Sequence, residues 1–236
     1  MLNKEKMSKE NLFSLIAISV TGLLITVTGI ISSQEVLRII PLYVSLFVGM
    51  LQARANRYAC LIGGCNAILY AVVYFLFGLY ASAVSALLVS SPLQLATFIR
   101  WSKKPYKHST QFRSLDTLKR VAVLAIFAIL FTISYFILRA LGSSYRVLDL
   151  TMSLISIFTS VLTLLSFVEY SYLMLATGVC SIMLDATMMA EYPGQITYLI
   201  FSIYSMICII RQFISVRKLY TEQKELKGED YENILP

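Results

Sequence analysis

YACLIGGCNAILYAVVYFLFGLY (Tyr58–Tyr80) runs directly into ASAVSALLVSSPLQLATFI (Ala81–Ile99), and no charged residue occurs anywhere between Tyr58 and Ile99. A membrane-spanning helix needs ~20 mostly apolar residues, and each of these stretches supplies them. Gly78, Leu79 and Tyr80 at the join read as a tight turn at the membrane surface. The rest of the chain has the same character. Of its 236 residues 58% are hydrophobic and 14% charged, and the mean hydropathy is +0.74. Soluble domains run near ~45–50% apolar and ~25% charged. The composition excludes disorder, a disulfide scaffold and an ordinary soluble enzyme, and leaves a polytopic, all-α membrane protein.

Eight apolar runs are expected to span: Leu12–Ile31, Val36–Gln52, Tyr58–Tyr80, Ala81–Ile99, Val121–Leu141, Leu150–Phe167, Tyr172–Ala190 and Gly194–Ile214. Pro41 falls near the start of the second, where proline is tolerated. The first follows Lys4, Lys6 and Lys9 as a signal peptide would. Its apolar stretch is long for one, however, and Ser32-Ser33-Gln34 is a poor cleavage site, so it reads as a retained helix. Of the 20 Lys and Arg residues, all but Arg38, Arg139 and Arg146 fall on the side that holds both termini. By the positive-inside rule that side is cytoplasmic and the chain sits in the cell membrane. Basic clusters between apolar runs thus reflect membrane topology and not a nucleic-acid surface. Cys60, Cys65, Cys180 and Cys208 lie inside apolar runs and read as packing residues.

The basic loop 102–120 divides the chain. Before it stand an extra helix (1–35) and three spans (36–101); after it come a connecting helix (121–141), three more spans (149–216) and a polar tail (217–236) expected to fray. The two triplets start on the same side and show the same order of links. One fixed offset pairs Cys65 with Cys180, Leu69 with Leu184 and Ser90 with Ser205. This is the pattern of a SWEET-like parallel repeat of two three-helix bundles, in which substrate binds between the repeats.

Polar residues inside spans are costly and face the bundle interior. On the third span Asn66, Tyr70 and Tyr74 share a face, with Gly63 and Gly64 permitting close helix approach. On the fourth, Ser90, Gln94, Thr97 and Trp101 share one, and Pro92 should free a carbonyl near Leu88. Thr177, Ser181 and Asp185 repeat the spacing on the seventh; Tyr198, Ser202, Ser205 and Gln212 form a softer stripe on the eighth. Amides, hydroxyls and a freed carbonyl at mid-depth suit a neutral polar ligand. Against this, Ser, Thr and Gly often serve only helix packing. Trp101, beside Arg100, reads as an interfacial anchor. Asp185 either reaches the outer interface or faces the cavity as a ligand or proton group.

Arg57-Tyr58, Gly63-Gly64-Cys65-Asn66, Leu69-Tyr70-Ala71, Tyr74, Gly78-Leu79-Tyr80, Pro92-Leu93-Gln94 and Trp101 resemble the first half of PnuC-type transporters. Asp149 and Glu169 extend the resemblance into the second half. That family takes up nicotinamide riboside, and its relatives carry thiamine, riboflavin or deoxynucleosides. The resemblance implies two three-helix bundles around a connecting helix, and a central site of amides and aromatic rings whose roles fall on Asn66 and Gln94. Where family members carry W-x-x-W followed by Asn, this chain has Ser171, Met174 and Gly178.

His108 is the one histidine and lies in the basic loop, and the chain has no Walker loop and no dinucleotide fingerprint. No cofactor and no enzyme activity are expected. The expected partners are a small-molecule substrate and the lipid bilayer, with a homo-oligomer open. Facilitated uptake of a vitamin precursor or nucleoside, drawn by cytosolic trapping, leads. Proton coupling through Asp185, an intramembrane enzyme and a non-transporting receptor or assembly protein are the alternatives.

Overall fold

The computed structural model describes residues 9–140 and 145–232. Lys4 and Lys6 of the basic flank, Leu141 at the expected end of the fifth span and residues 233–236 of the tail lie outside them. Among the described residues, eight helices are long and apolar enough to cross a membrane. They are α1 (Lys9–Ile31), α2 (Val36–Ala53), α3 (Tyr58–Leu76), α4 (Tyr80–Lys103), α5 (Thr117–Ala140), α6 (Arg146–Leu164), α7 (Tyr170–Glu191) and α8 (Ile196–Glu232). Each expected run is met by one helix, so the chain is an all-α polytopic bundle.

Six helices close a ring: α2 packs on α3, α3 on α4, α4 on α6, α6 on α7, α7 on α8, and α8 on α2. α1 lies outside the ring against α2 and α8, and α5 lies outside against α6. Leu118, Val121, Leu124, Ile129, Ile133 and Ile137 of α5 are exposed, the surface that lipid covers. Lipid tails are as apolar as leucine, so close packing has to hold such a ring together. A Cβ on Gly49 of α2 would stand 3.2 Å from the Tyr204 ring and 3.3 Å from the Cys208 sulfur of α8. The two helices approach here because glycine leaves the room.

α3 stops earlier than its apolar run. Gly78 adopts a φ of 68°, and the Leu79 N–H donates back to the Tyr74 carbonyl at 2.9 Å, a left-handed helix stop that glycine accepts without strain. The next helix, α4, is capped by α6, its neighbour in the ring. The Asp149 carboxylate, fully buried on α6, accepts from Ala81 N–H (3.2 Å), Ser82 N–H (3.1 Å) and the Ser82 hydroxyl (2.6 Å). An anion at a helix N-terminus satisfies free amides and complements the helix dipole. Ser85–Ser90 of α4 form a π-helical stretch directly before Pro92, and a widened turn is one way a helix accommodates a proline. Leu88 is 67% exposed on the outside of the bundle and does not line the central cavity, so the expected carbonyl near Leu88 is not part of its wall; Ser85, Ala86 and Ser90 supply that wall instead.

The basic loop is folded. Pro105–Tyr106 pairs antiparallel with Ser109–Thr110, and the chain then crosses the α6–α7 turn. There Arg113 N–H donates to the Ser166 carbonyl (3.0 Å), Val168 N–H donates to the Arg113 carbonyl (2.9 Å), and the Arg113 guanidinium lies 4.3 Å from the Phe167 ring centroid. The expected frayed tail is also corrected. α8 continues without a break to Glu232, and buried Gln223 accepts from Phe112 N–H (2.8 Å) and donates to the Thr110 carbonyl (3.0 Å). Sequence polarity suggested solvation, but Gln223 satisfies the backbone of the loop.

Candidate substrate cavity

The ring encloses two connected chambers of about 280 Å³ and about 220 Å³. Gln52, Gln94, Thr177, Gly178, Ser181 and Ser205 line both. The larger chamber reaches toward the Gly78 end and includes Asn66, Tyr70, Tyr74, Asp185, Gln195 and Tyr198 in its wall. The smaller reaches toward the hairpin and ends on Trp101, Tyr170 and Gln212. Asn66, Tyr70, Gln94, Thr177, Ser181 and Asp185, candidate contacts from the sequence, meet at the larger chamber, whereas Thr97, Trp101 and Gln212 line the smaller one alone.

Their surroundings differ. Asn66 is 3% exposed and donates to the Pro41 carbonyl (3.0 Å) and the Ser45 hydroxyl (2.8 Å). A carbonyl can only accept, so the amide orientation is fixed and its oxygen is turned away; that buried oxygen has no hydrogen-bond partner among the described residues. Ser45 donates onward to the Tyr70 hydroxyl at 3.0 Å. Tyr70 and Tyr74 stack with ring centroids 5.6 Å apart. Gln94 passes over Gly63, where its Oε1 occupies the place of a missing Cβ. Thr177 turns its hydroxyl to the Leu173 carbonyl of its own helix (3.0 Å), and Ser181 lies 3.5 Å from the Met152 sulfur. Asp185 accepts from Gln195 Nε2 at 3.1 Å and from the Ser202 hydroxyl. It faces the cavity rather than the outer interface.

Several wall residues escaped the sequence reading. Ser45 and Gln52 of α2 lie on one helical stripe with Pro41 and Gly49, a pattern visible in the sequence. Gln195 sits in the short turn between α7 and α8 and gave no periodic signal. Trp101 corrects an expectation: it is no interfacial anchor. It is 2% exposed, donates from Nε1 to the Thr163 carbonyl (3.0 Å) and packs edge-on against Phe112. The loop folds over it, together with Leu115, Phe167, Tyr170, Val216 and Leu219, as an apolar plug under the smaller chamber. The opposite mouth is narrowed by Phe77, set edge-on to Tyr198, whose hydroxyl donates to the Arg38 carbonyl at 2.7 Å.

A polar cavity inside a ring of spanning helices, plugged by apolar residues at one end and narrowed by rings at the other, is the anatomy of a carrier. A crystal structure of the vitamin B3 transporter PnuC shares this fold, with a TM-score of 0.77 at 20% identity over 92% of this chain and 93% of that one. None of the curated proteins compared with the chain matches it. The family model described as nicotinamide mononucleotide transporter matches residues 35–213, which contain every residue lining the two chambers, and the chain belongs to that family of membrane transporters.

Proposed function

We propose that the protein takes up a small ring-bearing vitamin precursor or nucleoside, nicotinamide riboside first among them, by facilitated diffusion. The observation that carries this is the chemistry of the larger chamber. Its wall presents amides, hydroxyls, tyrosine rings and the Asp185 carboxylate, and among the described residues no Lys or Arg lines either chamber. A phosphate dianion buried there would lack cationic partners, and burying an unpaired charge is costly. The lining favours the dephosphorylated nucleoside over the mononucleotide. Asn66, Tyr70, Gln94, Thr177, Ser181 and Asp185 are its proposed contacts. With no titratable group needed for direction, the substrate gradient drives entry and cytosolic phosphorylation maintains it. The bundles α2–α4 and α6–α8, as a SWEET-like pair of repeats, rock about the site to expose it alternately. The basic end, with the hairpin and both termini, faces the cytoplasm.

Counterflow tests this. Proteoliposomes preloaded with nicotinamide riboside should exchange external labelled riboside without any ion gradient, and nicotinamide mononucleotide should not compete. Absence of exchange for ribosides, thiamine and riboflavin alike would leave a receptor or assembly role. The position of Asp185 in the cavity wall supports a second reading, proton coupling. Accumulation driven by an imposed proton gradient, abolished by an uncoupler and by Asp185→Asn, would establish it.

A further inference from the structure

We propose that Asp185 is a specificity residue: its carboxylate is the counter-ion for a ligand whose ring is a permanent cation. The inference rests on reading the larger chamber as the transport site. Among the described residues, Asp185 is the one acidic residue in that chamber's wall, and no Lys or Arg forms an ion pair with it. Its two partners, Gln195 and the Ser202 hydroxyl, are neutral donors that hold the carboxylate in place without neutralising it. The basic residue at this mouth, Arg38, is engaged elsewhere. Its guanidinium lies 4.8 Å from the Phe77 ring centroid and 3.8 Å from the Glu35 carboxylate, and it does not line the chamber.

A negative charge in a protein cavity within a bilayer needs a positive one, and intramembrane ionisable groups pair or line ion and substrate paths. The chamber supplies the rest of a cation site. Tyr74, stacked on Tyr70, packs in one cluster with Leu184, the residue before Asp185. Tyr198 and Phe77 stand edge to face in the same wall. Tyrosine faces attract cations, and a flat cationic ring satisfies both the π-faces and the carboxylate. A phosphate is repelled by the same group. The ligand class is thus a nucleoside or vitamin carrying a pyridinium- or thiazolium-like ring.

The test compares ligands that differ in charge and hardly in shape. Nicotinamide riboside is a cation; its dihydro form is the neutral ring with one added hydride. Binding of each to purified full-length protein is measured by calorimetry, in the parent and in Asp185→Asn, which keeps an acceptor oxygen for Gln195 or Ser202. The parent should prefer the cation by ~10- to 100-fold, the low end of the coupling between close, desolvated charges. Asp185→Asn should remove that preference by weakening the cation alone; its retained affinity for the dihydro form shows that the site is intact. Equal affinities in the parent, or an undiminished preference in the variant, overturn the counter-ion role and leave nucleoside uptake standing. If neither riboside binds the parent, riboside uptake fails, and the counter-ion role is read on thiamine against its neutral 3-deaza analogue. Equal affinity for that pair, or no binding of either, overturns the counter-ion role too.

Discussion

The Oε1 atom of Gln94 occupies the space that a Cβ on Gly63 would fill. The amide reaches the junction of the two chambers only because position 63 has no side chain. Gly63→Ala should therefore displace the end of a flexible glutamine while leaving the helices where they are. Binding of the riboside should weaken as it does in Gln94→Leu, by ~5- to 150-fold for one lost buried hydrogen bond. Calorimetry reads the affinity, and a melting temperature close to the parent's confirms that α3 and α4 still pack.

Asn66 and Gln94 should part company when each is changed to leucine. Gln94 makes no hydrogen bond among the described residues, so its loss is felt in affinity alone. Asn66 also holds the Pro41 carbonyl and Ser45, so Asn66→Leu should lower affinity and stability together, the latter by ~1–3 kcal/mol. Thermal unfolding in detergent, with and without ligand, separates the two effects.

Removing the cap that α6 gives α4 should be more severe. Asp149→Ala strips the amides of Ala81 and Ser82 of their acceptor, with an expected loss of about 3 kcal/mol. Asp149→Asn, which keeps one acceptor oxygen, should fall between. The melting temperatures of the three proteins give the order.

Gln223 latches the hairpin segment through Phe112 N–H and the Thr110 carbonyl. Gln223→Ala should release that segment, which contains Lys107 and Arg113, and trypsin should cut it faster than in the parent. Unchanged cleavage would show that Phe112 and Leu115 hold it without the latch.

The charge bias predicts that a tag fused after Pro236 is protected from membrane-impermeant reagents in intact cells and labelled once they are opened. Labelling from outside would reverse the orientation proposed for the cavity.

Helix number and most helix positions were legible because span length and charge exclusion act residue by residue along the chain. The Asn66–Tyr70–Tyr74 and Thr177–Ser181–Asp185 faces were legible for the same local reason, helical periodicity. What stayed hidden depends on partners distant in sequence. Trp101 looked interfacial beside Arg100, and only the fold-back of Phe112 and Leu115 buries it. Asp149 was visible in the sequence only as part of a resemblance, and its meeting with Ser82 makes it a cap. The tail looked solvated until Gln223 met the hairpin backbone.

α8 is one unbroken helix of 37 residues, about 55 Å at ~1.5 Å per residue. Near one end Tyr198 and Ser202 take part in the narrow mouth and the Asp185 contact; toward the other, Val216, Leu219 and Gln223 belong to the plug and its latch. Between these two groups, Tyr204 and Cys208 lean on Gly49. A stiff rod borne at a point between its two working ends acts as a lever: tilting it swings those ends in opposite directions. The two mouths then answer to a single beam, and a leak open at both ends at once would require that beam to break.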